Sequence, residues 1–118
     1  MKMPSQKGTF SFRIHSFDVD YKGHLFLHHL LRFLQESAYI HANENNFGYD
    51  FLKTENKFWV LSRISMEIKQ LPKWDDEIQV TTWTSGPEGL FAKREFQLSV
   101  NGQLYVSVSS CWLVVDGW

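Results

Sequence analysis

The chain has 118 residues, of which 43% are hydrophobic and 21% are charged, and its formal net charge is −1. This length suits one domain with its own core, and the small net charge argues against nucleic acid or an anionic membrane as the partner. The single cysteine, Cys111, excludes an internal disulfide. There is no apolar run of about 18 residues and no signal-peptide core near Met1, so we expect a cytoplasmic protein.

The first half of the chain predicts a strand and a helix, after a flexible start over residues 1–8 and within one domain at 9–118. Apolar residues alternate with polar ones over 9–16, which is the period-two pattern of a half-buried strand. After a loop at 17–23, residues 25–40 contain no glycine or proline and favour a helix. Its polar residues form one stripe and the rest is apolar, which indicates a core helix. The stripe consists of His28, His29, Arg32, Gln35 and Glu36.

The second half predicts four strands, at 57–69, 77–84, 90–100 and 103–115. Pro72 marks a turn at 71–76, glycines and a proline mark a connector at 85–89, and Asn101-Gly102 predicts a tight hairpin. One long helix and a five-stranded antiparallel sheet form an α+β layer architecture. The apolar helix suggests that the sheet wraps around it, as in the hot-dog fold. In the first of these four strands, one face is predicted to carry Phe58, Val60, Ile64, Met66 and Ile68.

The loop before the helix contains the main candidates for chemistry, Asp18 and Asp20, ahead of Gly23. The unpaired N–H groups of a helix N-terminus attract acceptor oxygens. They are therefore suited to polarising a thioester carbonyl and to holding the oxyanion that forms on attack. A neighbouring carboxylate would orient or deprotonate water, or attack directly. The alternative is that Asp18 or Asp20 only caps the helix and fixes the turn.

Metal binding has a weaker basis in the sequence. His24 and His28 are four residues apart, and Asp20 would be a third ligand. The segment lacks the glutamate of an HExxH site and no fourth ligand is evident. We therefore predict no metal site and no cofactor.

Two further side chains have a structural and a chemical interpretation. Glu36 is a possible second catalytic carboxylate, but pairing with Arg32 across one helical turn is the preferred interpretation. Cys111 has no histidine beside it in the sequence that would activate it as a nucleophile. The many aromatic residues are assigned mainly to the core, and any slot that they line would accept an acyl or aryl group.

Several segments resemble known thioesterases. DVDYKGHLFLHHLLRFLQESA, at 18–38, resembles the D-x-D-x-x-G loop and helix of hot-dog thioesterases of the 4-hydroxybenzoyl-CoA thioesterase type. WVLSRISMEI, the pattern P-x-W-D-D-E-I-x-V-x-T-W and the strand FAKREF resemble the N-terminal hot-dog half of acyl-acyl carrier protein (ACP) thioesterases from plants and bacteria. Together these segments cover most of the chain.

The resemblance implies a thioester hydrolase that releases fatty acid from acyl-ACP in fatty acid biosynthesis. It places Asp20 at the position of a nucleophilic or general-base aspartate and His24 at the histidine of the family's D-x-N-x-H motif, while Lys22 stands at the asparagine. That motif lies in the family's second half, so a chain ending at Trp118 is expected to be a first half that shapes the acyl pocket. The candidate substrate-binding residues are Gly23, Leu25 and Phe26.

Two alternatives remain open at this point. The protein would be a free-standing acyl-CoA thioesterase if two copies form a homodimer by pairing their sheets edge to edge. It would be a non-catalytic half if it only binds the acyl chain and docks an acidic carrier protein. The candidate carrier contacts are Lys22, Lys69, Lys73 and Arg94, although solvated surface is the preferred interpretation of each.

Overall fold

The computed structural model describes residues 7–44, 54, 56–88 and 91–117. The elements are β1 (Gly8–Arg13), a 3-10 turn (Ser16–Asp18), α1 (Leu27–Glu44), β2 (Lys57–Ile68), β3 (Glu77–Glu88), β4 (Phe91–Val100) and β5 (Gln103–Asp116). The strands form one antiparallel sheet in the order β1-β3-β4-β5-β2. Helix α1 packs on this sheet, mainly against β3 and β1. The predicted α+β architecture is therefore confirmed. The predicted flexible start over residues 1–8 lies mostly outside the described residues.

Helix α1 buries one continuous face. Its buried residues recur at the three- and four-residue spacing of a helical stripe. They are Leu30, Phe33, Leu34, Ser37, Ala38, His41 and Ala42. Most of the apolar ones join side chains of β3, β4 and β5 in a single core cluster. The sheet covers this face only, and Tyr39 on the opposite side of the helix is 42% exposed. No helix among the described residues is long and apolar enough to cross a membrane.

Strand β2 lies at one edge of the sheet, far from the helix that precedes it. Among the strands that the structure describes it pairs only with β5, and the register shifts between Leu61 and Arg63. Because an extra residue reverses the alternation of faces, Leu61 rather than Val60 shares a face with Ile64 and Ile68. The prediction for Val60 was therefore wrong. Leu61, Ile64 and Ile68 remain 41%, 37% and 41% exposed, so α1 leaves this apolar row uncovered.

Register shifts also affect β3 and β5. Strand β3 continues to Glu88 through a shift between Thr84 and Gly86, so a connector does not begin at 85 as predicted. In β5, which pairs with β4 through a shift between Leu98 and Ser99, Tyr105 packs against the core. The hairpin prediction is confirmed, since Asn101 and Gly102 both adopt positive φ, 51° and 79°.

The burial of α1 predicts a clear difference between two leucines of the same helix. Leu30→Ala should lower the free energy of unfolding by about 2–5 kcal/mol, because Leu30 is fully buried and its removal leaves a cavity. The matched control is Leu27→Ala, which should change it by only about 0.5 kcal/mol since Leu27 is 51% exposed. Urea unfolding followed by circular dichroism measures both, and equal effects would contradict this packing.

Candidate functional site at the start of helix α1

The loop before α1 is a closed turn that the Asp20 carboxylate holds together. The Asp20 N–H donates to the His24 carbonyl at 2.9 Å, and the Gly23 N–H donates to the Asp20 carbonyl at 2.9 Å. Asp20 Oδ1 accepts the N–H groups of Lys22 and His24 at 2.9 and 3.1 Å. Gly23 has a φ of 81°, which favours a residue without a Cβ atom. Asp20 therefore has the turn-fixing role that the sequence offered as an alternative.

The same hydrogen bonds keep Asp20 ionised. The hydrogen bond from the His24 N–H has the largest effect on the pKa of Asp20, and this effect lowers the pKa. Partial desolvation raises the pKa, but the Lys22 N–H and the nearby charges of His24 and Lys22 also lower it, so the pKa lies below its usual value. Oδ2 accepts no hydrogen bond from the described part of the chain. One carboxylate oxygen of Asp20 is thus available to a water or a substrate group.

A second turn of the chain supports this loop from behind. The Leu25 N–H donates to the Pro72 carbonyl and the Trp74 N–H to the Gly23 carbonyl, both at 2.9 Å. The second turn is itself fixed by the Lys73 N–H, which donates to Asp76 Oδ2 at 2.8 Å. The P-x-W-D-D segment therefore holds the loop of the candidate site in place through these hydrogen bonds. Sequence reasoning identified it only as a turn, because the pairing joins residues about fifty positions apart.

No side chain in the described part of the protein caps the start of helix α1. The Phe26 carbonyl accepts the N–H groups of His29 and Leu30 at 3.1 and 3.0 Å, so Phe26 occupies the cap position. Its apolar side chain offers no oxygen to the first turn. The N–H groups of Leu27 and His28 make no hydrogen bond within the described residues. Two open donors and the positive end of the helix dipole thus meet at this point.

Asp18 lies beneath this helix start and is fully buried. Its Oδ1 lies 2.7 Å from His29 Nδ1 and 3.4 Å from Arg32 Nη2, while Oδ2 accepts the His15 N–H at 2.8 Å. Desolvation is the largest single effect and raises the pKa of Asp18, but the His15 and His29 hydrogen bonds and the charges of His29 and Arg32 together hold it below its usual value. Arg32 pairs here and not with Glu36, which corrects the predicted pair.

The other predicted site residues are distributed around this loop. His24 lies before the helix begins, so it does not share a helical face with His28. No group of three metal-ligating side chains is present among the described residues. Leu25 is buried in the core, whereas Phe26 is 38% exposed and its ring contacts those of His28 and His29. Of the candidate substrate-binding side chains, Phe26 is the one at the surface.

Arg94 lies far from this loop and inside the fold. Only 7% of it is exposed, and Nη1 donates to His41 Nδ1 at 3.0 Å and to Thr82 Oγ1 at 3.1 Å. Burial lowers the pKa of Arg94 to about 10, so the guanidinium stays charged at neutral pH. It links the C-terminal half of α1 to β3. Arg94 is therefore not a surface contact for a carrier protein, and that prediction was wrong.

The outer face of the sheet, away from α1, is mainly polar. An open groove of about 270 Å³ there is lined by Ser65, Glu67, Trp83, Glu95, Phe96, Gln97, Ser107, Val108 and Ser109. Glu95 accepts hydrogen bonds from Ser85 and Ser109. Nearby, Cys111 Sγ accepts a long contact of 3.7 Å from Arg63. Neither the groove nor Cys111 offers the apolar surface that an acyl chain requires.

Comparison with known proteins relates the whole described fold to one family. The family model for the acyl-ACP thioesterase N-terminal domain matches residues 6–117. A palmitoyl-acyl carrier protein thioesterase of chloroplasts from Gossypium hirsutum is 26% identical over 114 residues, which are 90% of this chain and 28% of the relative. The chain thus spans less than a third of that relative's length.

Solved structures show the same relationship. An acyl-ACP thioesterase from Bacteroides thetaiotaomicron superposes with a TM-score of 0.89 at 31% identity, over 93% of this chain and 46% of the other. The 12:0-ACP thioesterase from Umbellularia californica gives a TM-score of 0.83 at 19% identity, over 93% of this chain and 43% of the other. The chain has the fold of one half of these longer proteins.

The Asp18 cluster predicts a pH-dependent stability. Because the pKa of Asp18 is lower in the folded protein, its contribution is complete above the unfolded pKa of about 3.9 and is lost as the pH falls through the folded value. Asp18→Asn should cost about 1–3 kcal/mol of unfolding free energy at pH 7, and the difference from wild type should shrink toward pH 2.

Urea unfolding at several pH values measures this difference. The control is Asp75→Asn, since the Asp75 side chain is 80% exposed and should contribute little at any pH. A cost for Asp18→Asn that is the same at pH 7 and near pH 2 would contradict the buried, ionised carboxylate.

Proposed function

The chain belongs to the acyl-ACP thioesterase family. On that premise we propose that the protein hydrolyses the thioester of an acyl chain carried by ACP. The reaction would release a fatty acid in fatty acid biosynthesis. The observation that carries this proposal is the start of α1, where the N–H groups of Leu27 and His28 make no hydrogen bond within the described residues. The loop that leads into this helix start contains the Asp20 carboxylate. Thioester hydrolysis requires such donors for its oxyanion. The cytoplasmic location stays a prediction.

In the proposed reaction, the thioester carbonyl oxygen accepts the N–H groups of Leu27 and His28. Negative charge grows on that oxygen as water attacks, so these donors stabilise the transition state more than the substrate. Asp20 is ionised and orients the water through its open Oδ2. His24 is the second catalytic residue that the family motif implies, and the exposed part of Phe26 contacts the acyl chain near the carbonyl.

The rim of the site supports a carrier protein as the donor of the acyl chain. Lys22 and Lys73 are exposed on the two turns that frame the loop, and the rings of Tyr21 and Trp74 beside them are 93% and 58% exposed. An acidic partner would find both charge and apolar contact there. We propose this rim as the docking surface for the carrier, with acyl-CoA as the alternative donor.

The free edge of β2 supports pairing with a second hot-dog half. Leu61, Ile64 and Ile68 form an exposed apolar row on an edge strand, which is a surface that proteins cover by adding strands. The solved Bacteroides relative is about twice as long as the matched segment. We propose that a second half in the same polypeptide covers β2, and a second copy of this chain is the alternative.

One observation favours a non-catalytic half as the second candidate function. Lys22 stands where the family's catalytic motif has asparagine, and one carboxylate oxygen of Asp20 is occupied by the hydrogen bonds that hold the turn. In that case the half would bind the acyl chain while the other half hydrolyses it.

Activity measured on the native gene product separates these candidates. Wild type should hydrolyse acyl-ACP, and Asp20→Asn should lower kcat by about 10²–10⁴-fold, since the amide cannot act on water as a carboxylate does. The Asn Oδ1 can still accept both turn N–H groups, so the loop should keep its shape. Asp75→Asn is the matched control and should retain full turnover. Unchanged turnover in Asp20→Asn would exclude Asp20 from the mechanism and would favour hydrolysis by another half.

The partner of β2 is tested by the mass of the native gene product and its oligomeric state. We expect a polypeptide about twice as long as the segment that superposes on the Bacteroides thioesterase. Light scattering should show that this polypeptide is a monomer. If the product is instead near 118 residues, it should be a dimer that Ile64→Lys dissociates and that Tyr39→Lys, on the outer face of α1, leaves intact. A short product that stays monomeric would contradict pairing through β2.

A further inference from the structure

A buried carboxylate orients one histidine of the first helical turn. Asp18 is fully buried and ionised, and its Oδ1 lies 2.7 Å from His29 Nδ1. An ionised carboxylate only accepts hydrogen bonds, so Nδ1 carries the proton of this contact. In the neutral imidazole the lone pair is then on Nε2. This is the arrangement by which a buried aspartate prepares a histidine to accept a proton.

The contact with Asp18 leaves Nε2 of His29 unused. The His29 side chain is 15% exposed, and Nε2 has no hydrogen-bond partner among the described residues. The surrounding rings are those of Phe17, Phe26 and His28, with centroids 6.1, 5.8 and 4.5 Å from that of His29. Phe17 is 66% exposed. A half-buried base with an aromatic surround suits an uncharged, partly apolar group such as a thioester.

His29 is also placed beside the proposed oxyanion donors. It is the third residue of α1, and the open N–H groups belong to Leu27 and His28, the first two. A base and two N–H donors on one helical turn are the parts that hydrolysis of a carbonyl compound requires. Asp20 is a less suitable base, because two N–H groups already stabilise its charge.

We propose that His29 is the general base of this site and that Asp18 is its positioning residue. This inference rests on the proposed thioester hydrolysis and deepens it. Water gives a proton to His29 Nε2 as its oxygen bonds to the thioester carbon, and the carbonyl electrons move to the oxygen held by the Leu27 and His28 N–H groups. When the tetrahedral intermediate collapses, the carbon–sulfur bond breaks and the leaving thiolate takes the proton from Nε2. The products are a carboxylic acid and a free thiol.

The groups that face His29 determine how its activity should respond to pH. They are Asp18 from the 3-10 turn, His28 and Arg32 from α1, and His15 through the ring of Phe17. The base must be neutral to accept a proton, so kcat/KM should fall on the acid side of a single ionisation. This fall in kcat/KM at low pH is due to His29 only if it disappears when His29 is replaced.

The test compares two residues of α1 in the native gene product, assayed with acyl-ACP over a range of pH. His29→Gln should lower kcat by about 10²–10⁴-fold with little change in KM and should remove the fall in kcat/KM at low pH. Gln35→Ala is the control, because its side chain is exposed on the same helix, six positions after His29, and it should stay within about threefold of wild type. Equal activity in the two variants, with wild type active, would overturn the proposal and leave the proposed function intact.

The tautomer is a second readout, independent of turnover. Nitrogen NMR of wild type should show His29 protonated at Nδ1 and not at Nε2, and Asp18→Asn should shift that balance and lower kcat. If Asp18→Asn does not fold, wild type and His29→Gln still decide the question. An Nε2–H tautomer in wild type would overturn the proposal. If wild type hydrolyses neither acyl-ACP nor acyl-CoA, the proposed function fails and the assigned proton transfer fails with it.

Discussion

The width of one helix is the constraint on which the rest of this structure depends. An α-helix with its side chains is about 10–12 Å across, whereas five strands spaced about 4.8 Å apart make a sheet nearly twice as wide. Since α1 rests on β3 and β1, it cannot also cover β2 at the far edge. The apolar row of Leu61, Ile64 and Ile68 is left open for this reason. The second half that we propose as the partner of β2 would cover this row.

The position of the site follows from how the start of α1 is held. Burying the Asp18 carboxylate removes it from water, and this cost is offset only because His15, His29 and Arg32 surround it with donors. The same contacts fix the loop over the helix end, while the Pro72 carbonyl and the Trp74 N–H hold it from the other side. With Phe26 in the cap position, two helix N–H groups stay open. A helix end that is rigid and uncapped is suited to binding a developing negative charge.

The sequence predicted what depends on local periodicity. The strands, α1 and the Asn101-Gly102 hairpin follow from patterns that a few residues define, and the loop with Asp20 and Gly23 was located by its spacing and resemblance. The edge position of β2 was not predictable, because strand order depends on which distant edges meet. Nor was the Asp18–His29 contact, which joins a loop to a helix eleven positions later through a side-chain rotamer. Arg94 resembled a surface charge, since the buried acceptors His41 and Thr82 are distant in the sequence.

The proposed mechanism depends on binding of a thioester carbonyl at the open N–H groups of Leu27 and His28. The most direct measurement is amide NMR of the native gene product during titration with a non-hydrolysable acyl-pantetheine ketone, in which a methylene group replaces the thioester sulfur. The largest amide shifts should occur at Leu27 and His28, with smaller ones at Phe26 and His29. Saturable binding that leaves the Leu27 and His28 amides unshifted would contradict this mechanism.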